Sequence, residues 1–221
     1  MTHRCIVFDL DGTLVDSLPG IAEGVARALA AQQLPVPAPE AVRGMIGEGA
    51  KQLCAQALGY DRVENTPPEL LQRTYELFCR EYPHCWQGSY TRPYAGIPEL
   101  LARLQSEGAR LAVLSNKPHA VTLPMVQTLF PDIAFEPILG FTGEFPRKPA
   151  PDALLHIAEQ WQAAPAELTL VGDSLFDAQT AAHAGCRLAL VDWGYSRTAD
   201  LGALGAPLAH SVAELQQLLL S

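Results

Sequence analysis

The chain has 221 residues, 48% of them hydrophobic and 18% charged, and carries a formal net charge of −9. Such a length holds one full α/β core with a small second lobe, and the composition excludes a disordered or membrane-embedded chain. The acidic excess, with no basic stripe and no aromatic–basic interleaving, excludes nucleic acid as a natural partner; no apolar run approaches the ~18 residues that a spanning helix needs.

Met1-Thr2-His3-Arg4 leads, with no apolar leader, straight into Cys5-Ile6-Val7-Phe8. A short continuous apolar run of this kind predicts a strand buried on both faces. It ends in Asp9-Leu10-Asp11-Gly12-Thr13-Leu14, two carboxylates followed by a glycine that allows a tight turn. From about residue 17 to residue 89 no strand is expected. Leu18, Ile21, Ala22, Val25 and Leu29 keep helical spacing, as do Ala50, Leu53, Cys54 and Leu58, and then Leu71, Tyr75, Phe78 and Tyr82. Prolines at 35, 37, 39, 67 and 68 punctuate the connections.

Alternation of strand and helix begins after residue 90. Pro98 opens a helix that Gly108 stops; Arg110-Leu111-Ala112-Val113-Leu114 predicts a second strand, ending in Ser115-Asn116-Lys117; Pro137–Gly140 is a weaker strand. Lys148-Pro149-Ala150-Pro151 leads into a further helix. Leu168–Val171 predicts a strand ending in Gly172-Asp173-Ser174-Leu175-Phe176-Asp177, a helix follows over 175–184, and Leu188–Val191 closes the series. This predicts a Rossmann-like, doubly wound parallel sheet over 1–16 and 90–221, with an all-helical lobe inserted at 17–89. The five cysteines are odd in number and scattered, which suits a reducing, cytoplasmic location better than a disulfide framework.

Taken singly, the polar residues at the strand ends fit plain structural roles equally well. DxDG is also a solvated turn, SNK a polar turn, Lys148 a surface lysine, and Asp173 with Asp177 a helix cap followed by an exposed acid. Their placement together is more specific, because all fall on the edge of a parallel sheet where open α/β folds bind their ligands.

The ordered set DxDGT, SN, K, GDxxxD resembles the haloacid dehalogenase-like superfamily of phosphohydrolases over nearly the whole chain. Within it, Met45-Ile46-Gly47-Glu48-Gly49-Ala50, Leu114-Ser115-Asn116-Lys117-Pro118 and Lys148-Pro149-Ala150-Pro151 look most like the phosphoglycolate phosphatases. The resemblance implies that the helical insertion is a cap and that Asp9 is the nucleophile, forming an aspartyl-phosphate. It implies Asp11 as general acid/base, and Mg²⁺ held by Asp9, the Asp11 carbonyl and Asp173, with Asp177 a further acidic ligand or an anchor behind them. Thr13, Ser115 and Asn116 would then orient the phosphate, and Lys148 would bridge it to Asp9.

The residue types suit that chemistry. A carboxylate attacking phosphorus splits one hard displacement into two easier ones. Asp9, Asp173 and Asp177 with a dianionic phosphate total −5 against one positive charge from Lys148, and each like-charge pair at ~4 Å costs about 4 kcal/mol at an effective dielectric near 20. A divalent cation is therefore expected as neutraliser. A phosphatase must also protonate an alkoxide and deprotonate water, whereas halide leaves without a proton, so Asp11 points to phosphate rather than halide as the group removed.

The substrate expected is a small phosphate ester, with 2-phosphoglycolate as the leading candidate, and the assembly a monomer or homodimer. Gly47, Gly49 and Lys51 are candidate substrate contacts, small residues for a small acid and a cation for its carboxylate, with Arg43 and Lys117 as further cations; a solvated helix start is the plainer reading of that segment. Cys79, His84 and Cys85 lack the fourth ligand and spacing of a zinc site. Sugar-phosphate phosphatase, pyrophosphatase and β-phosphoglucomutase-type transferase remain open, as does a non-enzymatic phospho-accepting receiver domain.

Overall fold

In a computed structural model describing residues 4–220, the elements in chain order are β1 (Cys5–Phe8), β2 (Val15–Asp16), α1 (Leu18–Ala30), α2 (Pro39–Arg43), α3 (Ala50–Ala57), α4 (Pro68–Cys85), β3 (Arg92–Pro93), α5 (Ile97–Ser106), β4 (Arg110–Pro118), α6 (His119–Leu129), β5 (Phe135–Phe141), α7 (Asp152–Gln160), β6 (Leu168–Gly172), α8 (Leu175–Ala184), β7 (Arg187–Val191), α9 (Thr198–Gly202), β8 (Leu208–Ala209) and α10 (Val212–Leu220). Met1–His3, read above as leading straight into the first strand, lie outside the described residues. The chain forms two units, one running to Val15 and resuming at Pro93, the other Asp16–Arg92.

In the first unit six parallel strands stand in the order β5-β4-β1-β6-β7-β8. This is the doubly wound arrangement, in which the chain builds outward from β1 on one side and then returns to build outward on the other. The central strand is apolar throughout because it is covered on both faces. Cys5 and Val7 join a buried cluster with Leu154, Ile157 and Trp161 around α7 and Leu168 and Leu170 of β6. Ile6 and Phe8, equally buried, face the opposite way. The register is fixed on both sides, Cys5 to Phe8 pairing with Arg110 to Val113 and with Leu168 to Val171.

The structure differs from the sequence reading in several elements. β4 does not stop at Leu114 but continues through Ser115, Asn116 and Lys117 to Pro118, with a register irregularity against β5 after Leu114. α6 carries Pro124 inside it, which hides it from a reading that treats proline as a breaker. β2, β3 and β8 are two residues each, too short to show a period.

The second unit is helical. α1 and α4 pack together along their lengths, with Ile21, Val25 and Leu29 buried on one and Leu71, Phe78 and Tyr82 on the other. Phe78 and Tyr82 stack with ring centroids 5.0 Å apart. The chain passes between the units at 15/16 and 92/93, within the two-stranded β2–β3 ribbon. No helix of the described residues is long and apolar enough to cross a membrane, and all five cysteines are free thiols.

Candidate active site

β1 ends where its backbone is pinned, the Asp9 amide donating to the Val171 carbonyl of β6 at 2.8 Å. The chain then turns sharply, with the Leu14 and Val15 amides both returning to the Leu10 carbonyl. Gly12 has φ +83°, and a Cβ there would collide with the Asp173 carboxylate, so the turn and the acid leave room only for hydrogen. Asp9 is thereby delivered to the carboxyl edge of the sheet, facing the end of β6.

Among the described residues, Asp9, Asp173 and Asp177 are the grouping of side chains able to hold a metal ion, with ligand atoms within 4.8 Å of one another, and all three are buried. Lys148, from the β5–α7 connection, reaches into this cluster. Its Nζ lies 2.9 Å from Asp9 Oδ1 and 2.6 Å from Asp177 Oδ1. Three carboxylates against one ammonium leave a formal charge of −2. At these separations each carboxylate pair repels by about 3–4 kcal/mol at an effective dielectric near 20.

The protonation behaviour follows. Burial, with Asp177 adding to it, lifts the Asp9 carboxyl to about 7 although Lys148 opposes the shift. Burial likewise raises Asp173 well above the ordinary range, helped by Asp177 and Asp9. Lys148 is raised as well: burial works against its charge, but Asp177 and Asp9 outweigh it and keep the amine protonated. An all-oxygen, net-negative, buried set of this kind fits a hard divalent cation.

Each member has its own support. Asp177 Oδ2 accepts from the Ser174 amide at 3.1 Å and the Ser174 hydroxyl at 2.5 Å, while the Asp177 amide donates to Ser174 Oγ at 3.3 Å. This reciprocal cap starts α8, so Ser174 rather than Asp173 is the capping residue and Asp177 is fully buried rather than solvated. Asp173 accepts from Thr13 Oγ1 at 3.4 Å and from the Tyr195 amide at 2.6 Å. Asn116 clamps the backbone of Lys148, accepting from its amide at 2.8 Å and donating to its carbonyl at 3.0 Å. Ser115 is buried beside it, its Oγ accepting from the Lys117 amide at 3.2 Å.

Two features escape a reading of the sequence. The first is the turn Asp192-Trp193-Gly194-Tyr195 after β7. Besides the Tyr195 amide, the Trp193 indole donates to the Thr13 carbonyl at 3.2 Å, and a Cβ on Gly194 would strike Asp173. Its signal was a polar, glycine-bearing turn leaving a strand on the same edge as the other motifs. The second is the partner of Lys117, which the sequence offered only as a further cation: its Nζ meets both carboxylate oxygens of Asp11 at 2.9 and 2.8 Å. The Asp11 carboxylate stands outside the three-carboxylate cluster. Gly47, Gly49 and Lys51 belong to the second unit: Gly49 precedes α3, and Lys51 lies exposed in its first turn with Nζ 5.4 Å from the Tyr75 ring centre.

Comparison with known proteins places this arrangement. The family model for haloacid dehalogenase-like hydrolases matches residues 6–191. A phosphoglycolate phosphatase of Escherichia coli (strain K12) is 37% identical over 212 residues, covering 87% of this chain and 82% of that protein. One from Thiobacillus denitrificans is 33% identical over 213 residues, covering 94% and 93%. The crystal structure of a predicted phosphoglycolate phosphatase from Haemophilus somnus 129pt superposes with a TM-score of 0.90 at 26% identity, covering 99% of this chain and 98% of that one. With the matched region spanning β1 to β7 and every residue of the carboxylate cluster, the chain belongs to the haloacid dehalogenase-like hydrolase family.

Proposed function

We propose that the protein is a Mg²⁺-dependent phosphomonoesterase working through an aspartyl-phosphate on Asp9, with 2-phosphoglycolate as its substrate. The observation that carries this reading is the convergence of Asp9, Asp173, Asp177 and Lys148, all buried, at the carboxyl edge of β1 and β6. Asp9, the Asp11 carbonyl and Asp173 are assigned to hold the cation, with Asp177, whose oxygens meet Lys148 and Ser174, as a further acidic ligand or an anchor behind them. When bound, the cation cancels the excess negative charge and lets a phosphate dianion approach a carboxylate.

The remaining work falls to the chain. An Asp9 oxygen attacks phosphorus, a bond forms between them, and the bond from phosphorus to the ester oxygen breaks as Asp11 gives that oxygen a proton. Water then attacks the same phosphorus and loses its proton to Asp11, the bond to Asp9 breaks, and the products are alcohol and phosphate. Lys148, kept protonated by its two carboxylate neighbours, neutralises charge gathering at the phosphate oxygens. Thr13 and Ser115, buried hydroxyls on the same edge, are assigned as phosphate donors, and Asn116 as the brace that holds Lys148. The choice of 2-phosphoglycolate is supported by the curated relatives that carry that activity in their names. The free thiols suit a cytoplasmic location.

The test is phosphate release from a panel of esters. With Mg²⁺, 2-phosphoglycolate should exceed glucose 6-phosphate, β-glucose 1-phosphate and pyrophosphate in kcat/KM at least ~10-fold, chelation should abolish turnover, and Asp9→Asn should lose at least ~10³-fold in kcat. Full turnover after exhaustive chelation, or more than a tenth of it in Asp9→Asn, refutes the mechanism. A hexose phosphate winning the comparison refutes the substrate alone.

A further inference from the structure

Asp11 is two residues beyond Asp9, yet it is not among the three carboxylates whose oxygens lie within 4.8 Å of one another. It is held instead by a residue from a strand 106 positions later. Lys117 Nζ sits 2.9 Å from Oδ1 and 2.8 Å from Oδ2, almost equidistant, and the two side chains are only 5% and 13% exposed. A donor shared by both oxygens restrains the direction in which the carboxylate points, and burial of the pair keeps bulk water from competing for either partner. β4 therefore serves two groups from adjacent residues. Asn116 braces Lys148, and Lys117 braces Asp11. That follows from strand geometry, since successive side chains leave a strand in opposite directions and the extension of β4 through residue 118 puts both at the sheet edge.

We propose that Lys117 is the positioning residue for Asp11: it holds the acid/base carboxylate in the orientation from which it protonates the leaving oxygen and then takes the proton of the attacking water. The inference rests on the reading of Asp11 given above. It distinguishes Lys117 from a cation that binds the substrate's own anionic groups, a role the bare sequence allows equally. A positioning lysine acts only through Asp11, whereas a substrate-binding lysine acts whatever stands at position 11. It also predicts that the two half-reactions respond differently to the quality of the leaving group. p-Nitrophenolate needs no proton to depart, so formation of the aspartyl-phosphate from p-nitrophenyl phosphate bypasses Asp11, while its hydrolysis does not.

The experiment uses Lys117→Met, Lys117→Arg, Asp11→Asn and the double variant Asp11→Asn/Lys117→Met, with Mg²⁺ present. Lys117→Met should lower kcat for 2-phosphoglycolate about 10- to 100-fold, the effect of a misplaced catalytic group, with KM within about threefold, and Lys117→Arg should restore part of it. With p-nitrophenyl phosphate the burst of p-nitrophenolate should keep its rate in Lys117→Met while the steady state slows. In the Asp11→Asn background, Lys117→Met should change kcat by less than about twofold, because groups acting as one unit are not additive. The double variant removes both charges of the pair together, so it remains informative if Lys117→Met alone folds poorly. A loss on Lys117→Met that persists in the Asp11→Asn background, a slowed burst, or an effect confined to KM overturns the inference and leaves the phosphatase reading standing. Near-normal turnover of 2-phosphoglycolate by Asp11→Asn itself removes the acid/base reading, and this inference with it.

Discussion

Lys148→Met isolates the electrostatics of the site from its catalysis. The methionine chain nearly fills the space of the lysine stem, so what is lost is the one ammonium shared by Asp9 and Asp177, at 2.9 and 2.6 Å. Removing one partner of a buried ion pair costs about 3–5 kcal/mol. The two pairs share a single Nζ, and without it the carboxylates also repel one another, so about 4 kcal/mol is the expected loss at pH 8 without metal. The escape route is protonation. Asp9 is lifted to about 7 even with Lys148 in place, and losing the lysine lifts it further. A carboxyl raised on folding binds more protons in the native than in the unfolded state, so stability falls as pH rises through the folded value. Each unit that the shift grows is about 1.4 kcal/mol, and between a wild-type value of about 7 and pH 8 only one unit is available, so the loss should shrink by about 1.4 kcal/mol on going to pH 5.5. Mg²⁺ should recover part of it at pH 8, since a ligand at a hundredfold its Kd adds about 2.7 kcal/mol. At about 2–4 °C per kcal/mol for a chain of this size, the pH 8 loss reads as about 8–16 °C in Tm. The chain has two units, so the transition must be assigned. In a Trp86→Phe background the remaining indoles, Trp161 and Trp193, both report on the first unit. A loss below about 1 kcal/mol at pH 8, or an equal loss at pH 5.5 and pH 8, would refute the charge argument.

Two further substitutions probe the supports. Asn116→Ala removes both clamps on the Lys148 backbone; it should cost about 1–3 kcal/mol and lower kcat while the inhibition constant for inorganic phosphate stays within about threefold, and a tenfold weakening of phosphate with kcat preserved would instead make Asn116 a direct phosphate ligand. Gly12→Ala places a Cβ against the Asp173 carboxylate at a φ of +83°; the conformation alone costs about 1–2 kcal/mol, and the displaced acid should weaken the Mg²⁺-induced rise in Tm, so an unchanged rise would show that Asp173 can move without consequence.

The fold was legible where burial writes a simple pattern. Cys5–Phe8 and Leu168–Val171 are apolar at every position because the sheet covers both faces, and no solvated element requires that. The candidate site was legible as motifs where strands and helices meet their loops, and the structure gathers Asp9, Lys148, and Asp173 with Asp177 from three of them. What stayed hidden is partnership. Asn116 reads as a polar turn residue, and only the fold reveals that its amide matches the backbone of Lys148, 32 positions away. Lys117 reads as one more cation, while its bond to Asp11 depends on β4 running on to Pro118, through a stretch where Ser, Asn and Lys mask strand character. Pro124 hid α6, and the turn at Asp192–Tyr195 gave no motif, since its amide and indole N–H act by position rather than by residue type.

The placement of β1 between β4 and β6 has a consequence for how the chain comes into being. Cys5–Phe8 leave the ribosome well before their neighbours on the two sides, residues 110–113 and 168–171. At about 5–20 residues per second, the central strand waits roughly ten to thirty seconds for its second partner to be made. During that interval Asp16–Arg92, drawn from one continuous stretch, has every residue it needs to fold. An apolar segment made before both its partners is therefore among the last to be fully shielded, so nascent chains halted before residue 168 should be markedly more prone to aggregate than those halted after residue 191.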